Sequence, residues 1–91
     1  MERSMSSTIK RHFILWTKNG CPYCDEATAI LLESDHTFTV FEMSSNLDQL
    51  EKVQNQHHWS TVPLIVEQCS NGDRSFIGGC SDLERYLEII K

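Results

Sequence analysis

Cys21-Pro22-Tyr23-Cys24 follows a short apolar run, Phe13-Ile14-Leu15-Trp16, and stands where an amphipathic helical pattern begins. Two cysteines two residues apart at a strand-to-helix turn constrain this chain more than any other feature, and they read as a redox dithiol. A helix N-terminus carries unpaired backbone N–H groups and about half a positive charge, which favours a thiolate on Cys21. Pro22 falls at the first helical position, where its missing N–H costs nothing and its fixed φ suits the helix. Lys18 adds a cation three residues ahead. These influences pull Cys21 below the roughly 8.5 of a free thiol, and the thiolate is the species that attacks. Cys24, one turn into the helix, is placed to attack a mixed disulfide on Cys21 and release the product.

The rest of the chain sets the frame for that pair. Its 91 residues make one domain with a small core, and residues 1–9 read as a flexible, Ser-rich leader before a domain over 10–91. A hydrophobic share of 40% against 23% charged residues is ordinary globular composition and argues against disorder. A net charge of −5 excludes a general nucleic-acid binder and leaves any acidic ligand to a local positive site. The start is polar, without the apolar core of a signal peptide, and no run approaches the roughly 20 residues of a membrane span. Four cysteines would suit a secreted disulfide scaffold. With two of them in Cys-x-x-Cys and no signal peptide, a reducing, cytoplasmic setting is expected.

Patterning gives seven elements. His12 to Trp16 is apolar and β-prone, and residues 22–33 carry Ala27, Ile30 and Leu31 at helical steps before Asp35-His36. Thr37 to Glu42 reads as a second strand. Ser44-Ser45-Asn46 supplies N-cap candidates for a helix through Leu47, Leu50 and Val53 that ends near Gln56. Leu64 to Glu67 and Arg74 to Ile77 form a hairpin around Asn71-Gly72. After Gly78-Gly79, a Ser81-x-x-Glu84 capping box opens a last helix with Leu83, Tyr86, Leu87 and Ile90 on its core stripe. The order β-α-β-α-β-β-α predicts an α/β, thioredoxin-like fold: a four-stranded mixed β-sheet flanked by three or more helices, with a right-handed parallel crossover between the first two strands.

Three segments then carry a family likeness. Lys18-x-x-Cys21-Pro22-Tyr23-Cys24, Thr61-Val62-Pro63 and Gly78-Gly79-Cys80-Ser81-Asp82-Leu83 resemble the signature segments of a dithiol glutaredoxin of the CPYC type, over roughly Phe13 to the C-terminus. The resemblance implies a glutathione-dependent thiol–disulfide oxidoreductase acting on protein disulfides and glutathionyl mixed disulfides, with ribonucleotide reductase as a possible client. Cys21 resembles the nucleophile and Cys24 the resolving cysteine. Pro63 resembles a cis-proline opposite the nucleophile, a bond that costs little before proline. It would aim the backbone of Val62, beside Thr61, at glutathione for strand-like pairing.

Ser81 and Asp82, with the backbone of Cys80 beside Gly79, resemble the group that holds the γ-glutamyl end. The chemistry agrees, since a helix N-terminus binds a carboxylate and an Asp carboxylate pairs with an ammonium. Lys18 would take the glycine carboxylate and Tyr23 would line the groove. A second-helix contact to the glycine end falls to Gln49 or Lys52. Three departures stand out: Ser60 after Trp59 replaces a frequent basic residue, the segment Glu67 to Arg74 is long for the hairpin, and it carries Cys69.

Other readings lead elsewhere. A structural zinc site would need a second Cys-x-x-Cys or a spaced His pair, and neither Cys69 with Cys80 nor His57-His58 provides one, so no metal is expected. A [2Fe–2S] cluster held between subunits by Cys21 and glutathione is an alternative that Pro22 disfavours. A thioredoxin-like donor reduced by a flavoprotein reductase is another, disfavoured by Lys18 and Ser81-Asp82. A monomer is expected, working on glutathione and client proteins without nucleic acid or membrane. Cys80 reads as a small residue allowing close backbone approach, Cys69 has no role, and the four histidines read as solvated or rim residues. Trp16 reads as core and Trp59 as core or groove wall.

Overall fold

The computed structural model describes residues 11–90. The leader expected over residues 1–9 lies outside them. Strand β1 (His12–Thr17) leads into α1 (Pro22–Leu32), β2 (Thr37–Glu42), α2 (Leu47–Gln56), β3 (Leu64–Gln68), β4 (Arg74–Gly78) and α3 (Cys80–Ile89). The sheet order is β2-β1-β3-β4, with β1 and β2 parallel and the other two pairings antiparallel. This is the mixed four-stranded sheet and helix order expected from the patterning.

The two central strands are buried on both faces, which is why β1 is a continuous apolar run rather than an alternating one. Successive residues still point to opposite sides. Phe13, Leu15 and Ile65 pack with Ala27, Leu31, Cys80 and Leu83 beneath α1 and α3. Ile14, Trp16, Leu64 and Val66 pack with Met43, Leu50 and Val53 on the α2 side. Burying a side chain such as Leu31 or Leu83 contributes about 1.5–3 kcal/mol. The edge strands are more exposed, and Val40 and Phe41 on β2 face solvent in part.

Glu67 is an exception inside this core: a carboxylate only 5% exposed on β3. Arg11 donates to its Oε2 at 2.8 Å, and the Tyr86 hydroxyl donates to its Oε1. The Arg11 backbone N–H also donates to His36 Nδ1 at 3.0 Å, so His36 is not simply solvated. His12 contacts the Thr37 and Thr39 hydroxyls, and His57 stacks on Phe76. Three of the four histidines therefore have structural partners that spacing did not disclose.

One cap expectation is corrected, and another is narrowed to one of its candidates. Helix α3 begins one residue before Ser81, with Gly79 at the N-cap. Asp82 at N3 accepts the Gly79 N–H, so the closing carboxylate is Asp82 and not Glu84. Only half of a capping box can form, because Gly79 has no side chain to return the bond. At α2, Ser44 is occupied elsewhere: it accepts the Asn19 N–H at 2.8 Å and donates to the Glu42 carboxylate. Asn46 takes the N-cap position without a side-chain bond. The helix ends through His57 and His58, the latter in the left-handed region at φ 55°.

Candidate active site

Cys21 is the N-cap of α1 and Pro22 its first residue. The chain turns into that position through Gly20, whose φ of 69° suits glycine. Cys21 and Cys24 are joined as a disulfide with Cα atoms 5.2 Å apart. The Cys24 backbone N–H donates to Cys21 Sγ at 3.1 Å. The sulfur thus occupies the place of a capping oxygen, where helix N–H groups and the macrodipole favour negative charge. Cys24 is 3% exposed whereas Cys21 is more accessible, so an incoming disulfide meets Cys21 first.

Opposite the pair, the Val62–Pro63 peptide is cis, as the resemblance implied. The Val62 carbonyl oxygen lies 3.8 Å from Cys21 Sγ. From there a cleft of about 490 Å³ runs to the start of α3, lined by Tyr23, Glu26, Trp59, Thr61, Val62, Pro63, Gly79, Cys80, Ser81, Asp82 and Glu84. Two further clefts of similar size among the described residues have neither Tyr23 nor the Val62–Pro63 segment, the neighbours of the disulfide, on their walls. Chemistry, rather than volume, therefore picks out the first.

Most of the residues selected in the sequence meet here. Tyr23, Thr61, Val62, Pro63, Gly79, Cys80, Ser81 and Asp82 share one wall or floor beside the disulfide. Lys18 is exposed and outside the cleft lining. Gln49 lines a different cleft with Trp16 and Phe41. The second-helix residue that reaches this segment is Gln54, whose amide donates to the Thr61 carbonyl at 3.1 Å.

The glycines have defined neighbours. Gly78 has φ 125°, and a Cβ there would stand 2.5 Å from Asp82 Oδ2. A Cβ on Gly79 would come 3.3 Å from the Trp59 ring, so Trp59 packs directly on the turn into α3. The Trp59 indole N–H is buried and has no hydrogen-bond partner among the described residues. Its ring meets Phe76 edge-on. Trp59 thus fills both roles its sequence position allowed, lining the cleft and packing against the α2-side core.

Glu26 and Glu84 were missed as lining residues. They have no local signal, because they meet only through the packing of α1 against α3. Their charges act on Cys80: burial first, then Glu26 and Glu84, push its thiol pKa up.

A four-stranded thioredoxin-like sheet with Cys-x-x-Cys at the N-terminus of its first helix and a cis-proline opposite defines a thiol–disulfide oxidoreductase. The comparisons narrow the class. The glutaredoxin family pattern matches residues 13–68. Glutaredoxin 1 of Rickettsia prowazekii is 35% identical over 82 residues, covering 87% of this chain and 80% of that protein. Glutaredoxin 3 of Escherichia coli strain K12 is 33% identical over 69 residues, covering 76% of this chain and 77% of its own. Among solved structures, the dithiolic glutaredoxin 2-C-Grx1 of Trypanosoma brucei brucei superposes with a TM-score of 0.67 at 32% identity, covering 97% and 90% of the two chains. This chain belongs to the glutaredoxin family.

Proposed function

We propose that the protein uses glutathione to reduce protein disulfides and glutathionyl mixed disulfides. The observation that carries this reading is the cleft from Tyr23 and Val62, whose carbonyl lies 3.8 Å from Cys21 Sγ, to the N-terminus of α3. A γ-glutamyl tripeptide presents a carboxylate and an ammonium at one end and a thiol in the middle, and this cleft matches that order. Backbone N–H groups of the first turn of α3, with the Ser81 hydroxyl, take the γ-glutamyl carboxylate. Asp82 takes the ammonium. The Val62 backbone pairs with the cysteinyl peptide unit, and Tyr23 and Thr61 flank it. Lys18, on the exposed turn leading to Cys21, takes the glycine carboxylate.

In the monothiol route, the Cys21 thiolate attacks the glutathionyl sulfur of a mixed disulfide. The client thiolate leaves and takes a proton from solvent, and glutathione remains on Cys21. A second glutathione thiolate attacks that sulfur, releasing oxidised glutathione and restoring the Cys21 thiolate. In the dithiol route, Cys21 attacks a protein disulfide and Cys24 displaces the reduced client, leaving the Cys21–Cys24 disulfide. Two glutathione molecules then reduce it and leave as one oxidised glutathione. A small electron donor of this kind suits ribonucleotide reductase as a client in a reducing cytoplasm, acting as a monomer.

The test is turnover of a glutathionylated substrate coupled to glutathione reductase, in wild type and in Cys21→Ser and Cys24→Ser. Glutathione-dependent turnover that survives loss of Cys24 and vanishes with loss of Cys21 supports the assignment. Turnover that ignores glutathione, or equal loss in both variants, overturns it.

A further inference from the structure

Glu26, Cys80 and Glu84 bring one thiol and two carboxylates together where α1 packs against the first turns of α3. One ligand atom from each lies within 4.8 Å of the other two. Cys80 and Glu84 are four apart on α3 and so face the same side. Glu26 approaches from α1. The two carboxylates are exposed, but Cys80 is only 6% exposed and its thiol has no hydrogen-bond partner among the described residues. A buried, unpartnered sulfur aimed between two acids is costly to ionise as it stands. A dication placed among the three turns that repulsion into attraction.

We propose that Glu26, Cys80 and Glu84 form a site for a borderline divalent cation of the zinc type at the rim of the cleft. A thiolate selects such an ion over magnesium or calcium. Three protein ligands leave a fourth, water-filled position, as in open tetrahedral zinc sites. With Zn–S near 2.3 Å and Zn–O near 2.0 Å, neighbouring ligand atoms stand about 3.5 Å apart. The exposed Glu26 and Glu84 side chains close that small difference by rotation. On binding, the Cys80 thiol loses its proton to solvent and its sulfur bonds the metal; nothing is oxidised or reduced. Spacing cannot disclose this set, because it joins a helical i, i+4 pair to a residue on another helix. The same three residues line the cleft, so a bound ion narrows it. That consequence, unlike the site, rests on the cleft's being the substrate groove.

The test is Co²⁺ titration of the full chain with Cys21–Cys24 kept as the disulfide, under anaerobic conditions, which withdraws the catalytic thiols as ligands. The expected result is a near-ultraviolet thiolate-to-cobalt charge-transfer band that saturates at one equivalent. Zn²⁺ bleaches it and Mg²⁺ does not. The band persists in Cys69→Ser and is lost in Cys80→Ser. Outer-shell partners of metal sites are worth about 10–100-fold in affinity, so Glu26→Gln and Glu84→Gln, at exposed positions, each weaken binding at least about tenfold. No band in the wild type, a band surviving in Cys80→Ser, or unchanged affinity in both glutamine variants overturns the site. Turnover with glutathione in metal-free buffer is measured separately, so failure of one reading leaves the other standing.

Discussion

Asp82 turns back on its own helix to accept the Gly79 N–H at 2.9 Å, and its carboxylate fills the space that a side chain on Gly78 would need. One acid therefore both closes the first turn of α3 and stands at the γ-glutamyl end of the proposed groove. Gly78→Ala forces a residue with φ 125° out of the left-handed region and drives a methyl into that carboxylate. The expected loss is about 2–3 kcal/mol in urea unfolding, the upper part of the range for a strained backbone. The KM for glutathione rises more than kcat falls. Gly72→Ala serves as control, since φ is 95° but nothing lies within 4 Å, and it leaves the KM unchanged.

Glu67 holds two elements to the sheet, Arg11 ahead of β1 and Tyr86 on α3. Arg11→Ala leaves a buried carboxylate with only the tyrosine hydroxyl, and about 2 kcal/mol of stability is lost, less than for a fully buried pair because Arg11 is partly exposed. Glu67→Gln, which removes the charge together with the need to pair it, costs less. Equal losses in the two variants would count against an uncompensated charge as the cause.

The same cluster sets a pH dependence. Burial, then the hydrogen bond to Glu67, raises the Tyr86 phenol pKa above its ordinary value. A raised folded-state pKa means the contribution is complete below the unfolded value, near 10, and fades as pH rises through the folded value. Urea midpoints of the wild type should fall on the alkaline side of about pH 10. Tyr86→Phe should lie lower at neutral pH, by about 1–2 kcal/mol, and flatter above it.

Cys80 is the slow thiol. Burial, then Glu26 and Glu84, hold its pKa above the usual thiol range. Reduced protein treated with iodoacetamide near neutrality should be alkylated at Cys21 first and at Cys80 last, as read by mass spectrometry. Labelling of Cys80 should speed up with alkaline pH and in Glu84→Gln. Labelling as fast as at Cys69 would show that the site is open.

The two tryptophans touch the same α2-side core cluster, but only one of them reaches the cleft. Trp59 lines the cleft, whereas Trp16 packs with Phe41 and Met43 on the α2 side. Oxidised glutathione should change the indole emission of the wild type and of Trp16→Phe. Trp59→Phe should lose the response.

Much of this was legible locally. A continuous apolar run such as Phe13 to Trp16 reads as a central strand, and Asn71-Gly72 marks the hairpin of β3 and β4 because the turn needs the backbone freedom of glycine. The dithiol was legible from its own chemistry, and the Thr61-Val62-Pro63 and Gly78 to Leu83 segments from the family resemblance they carry. The misplaced cap of α3 has a specific cause. Ser81-x-x-Glu84 and Gly79-x-x-Asp82 overlap by two residues, and packing of Gly79 against Trp59 chose between them. At α2 the N-cap is Asn46, one of the three candidates, while Ser44 is engaged by Asn19, a partner far away in sequence.

Sequence by itself determined the order of elements, the apolar faces and the seating of Cys21 at a helix N-terminus, because these follow from neighbours within a few residues. Only the tertiary structure decided which residues share the cleft and which do not. It set the Gln54 amide on the Thr61 carbonyl, gave Glu67 its two partners, and gathered Glu26 with Cys80 and Glu84. Those groups lie on different elements, so their distances depend on how the helices seat on the sheet, and no spacing along the chain carries that information.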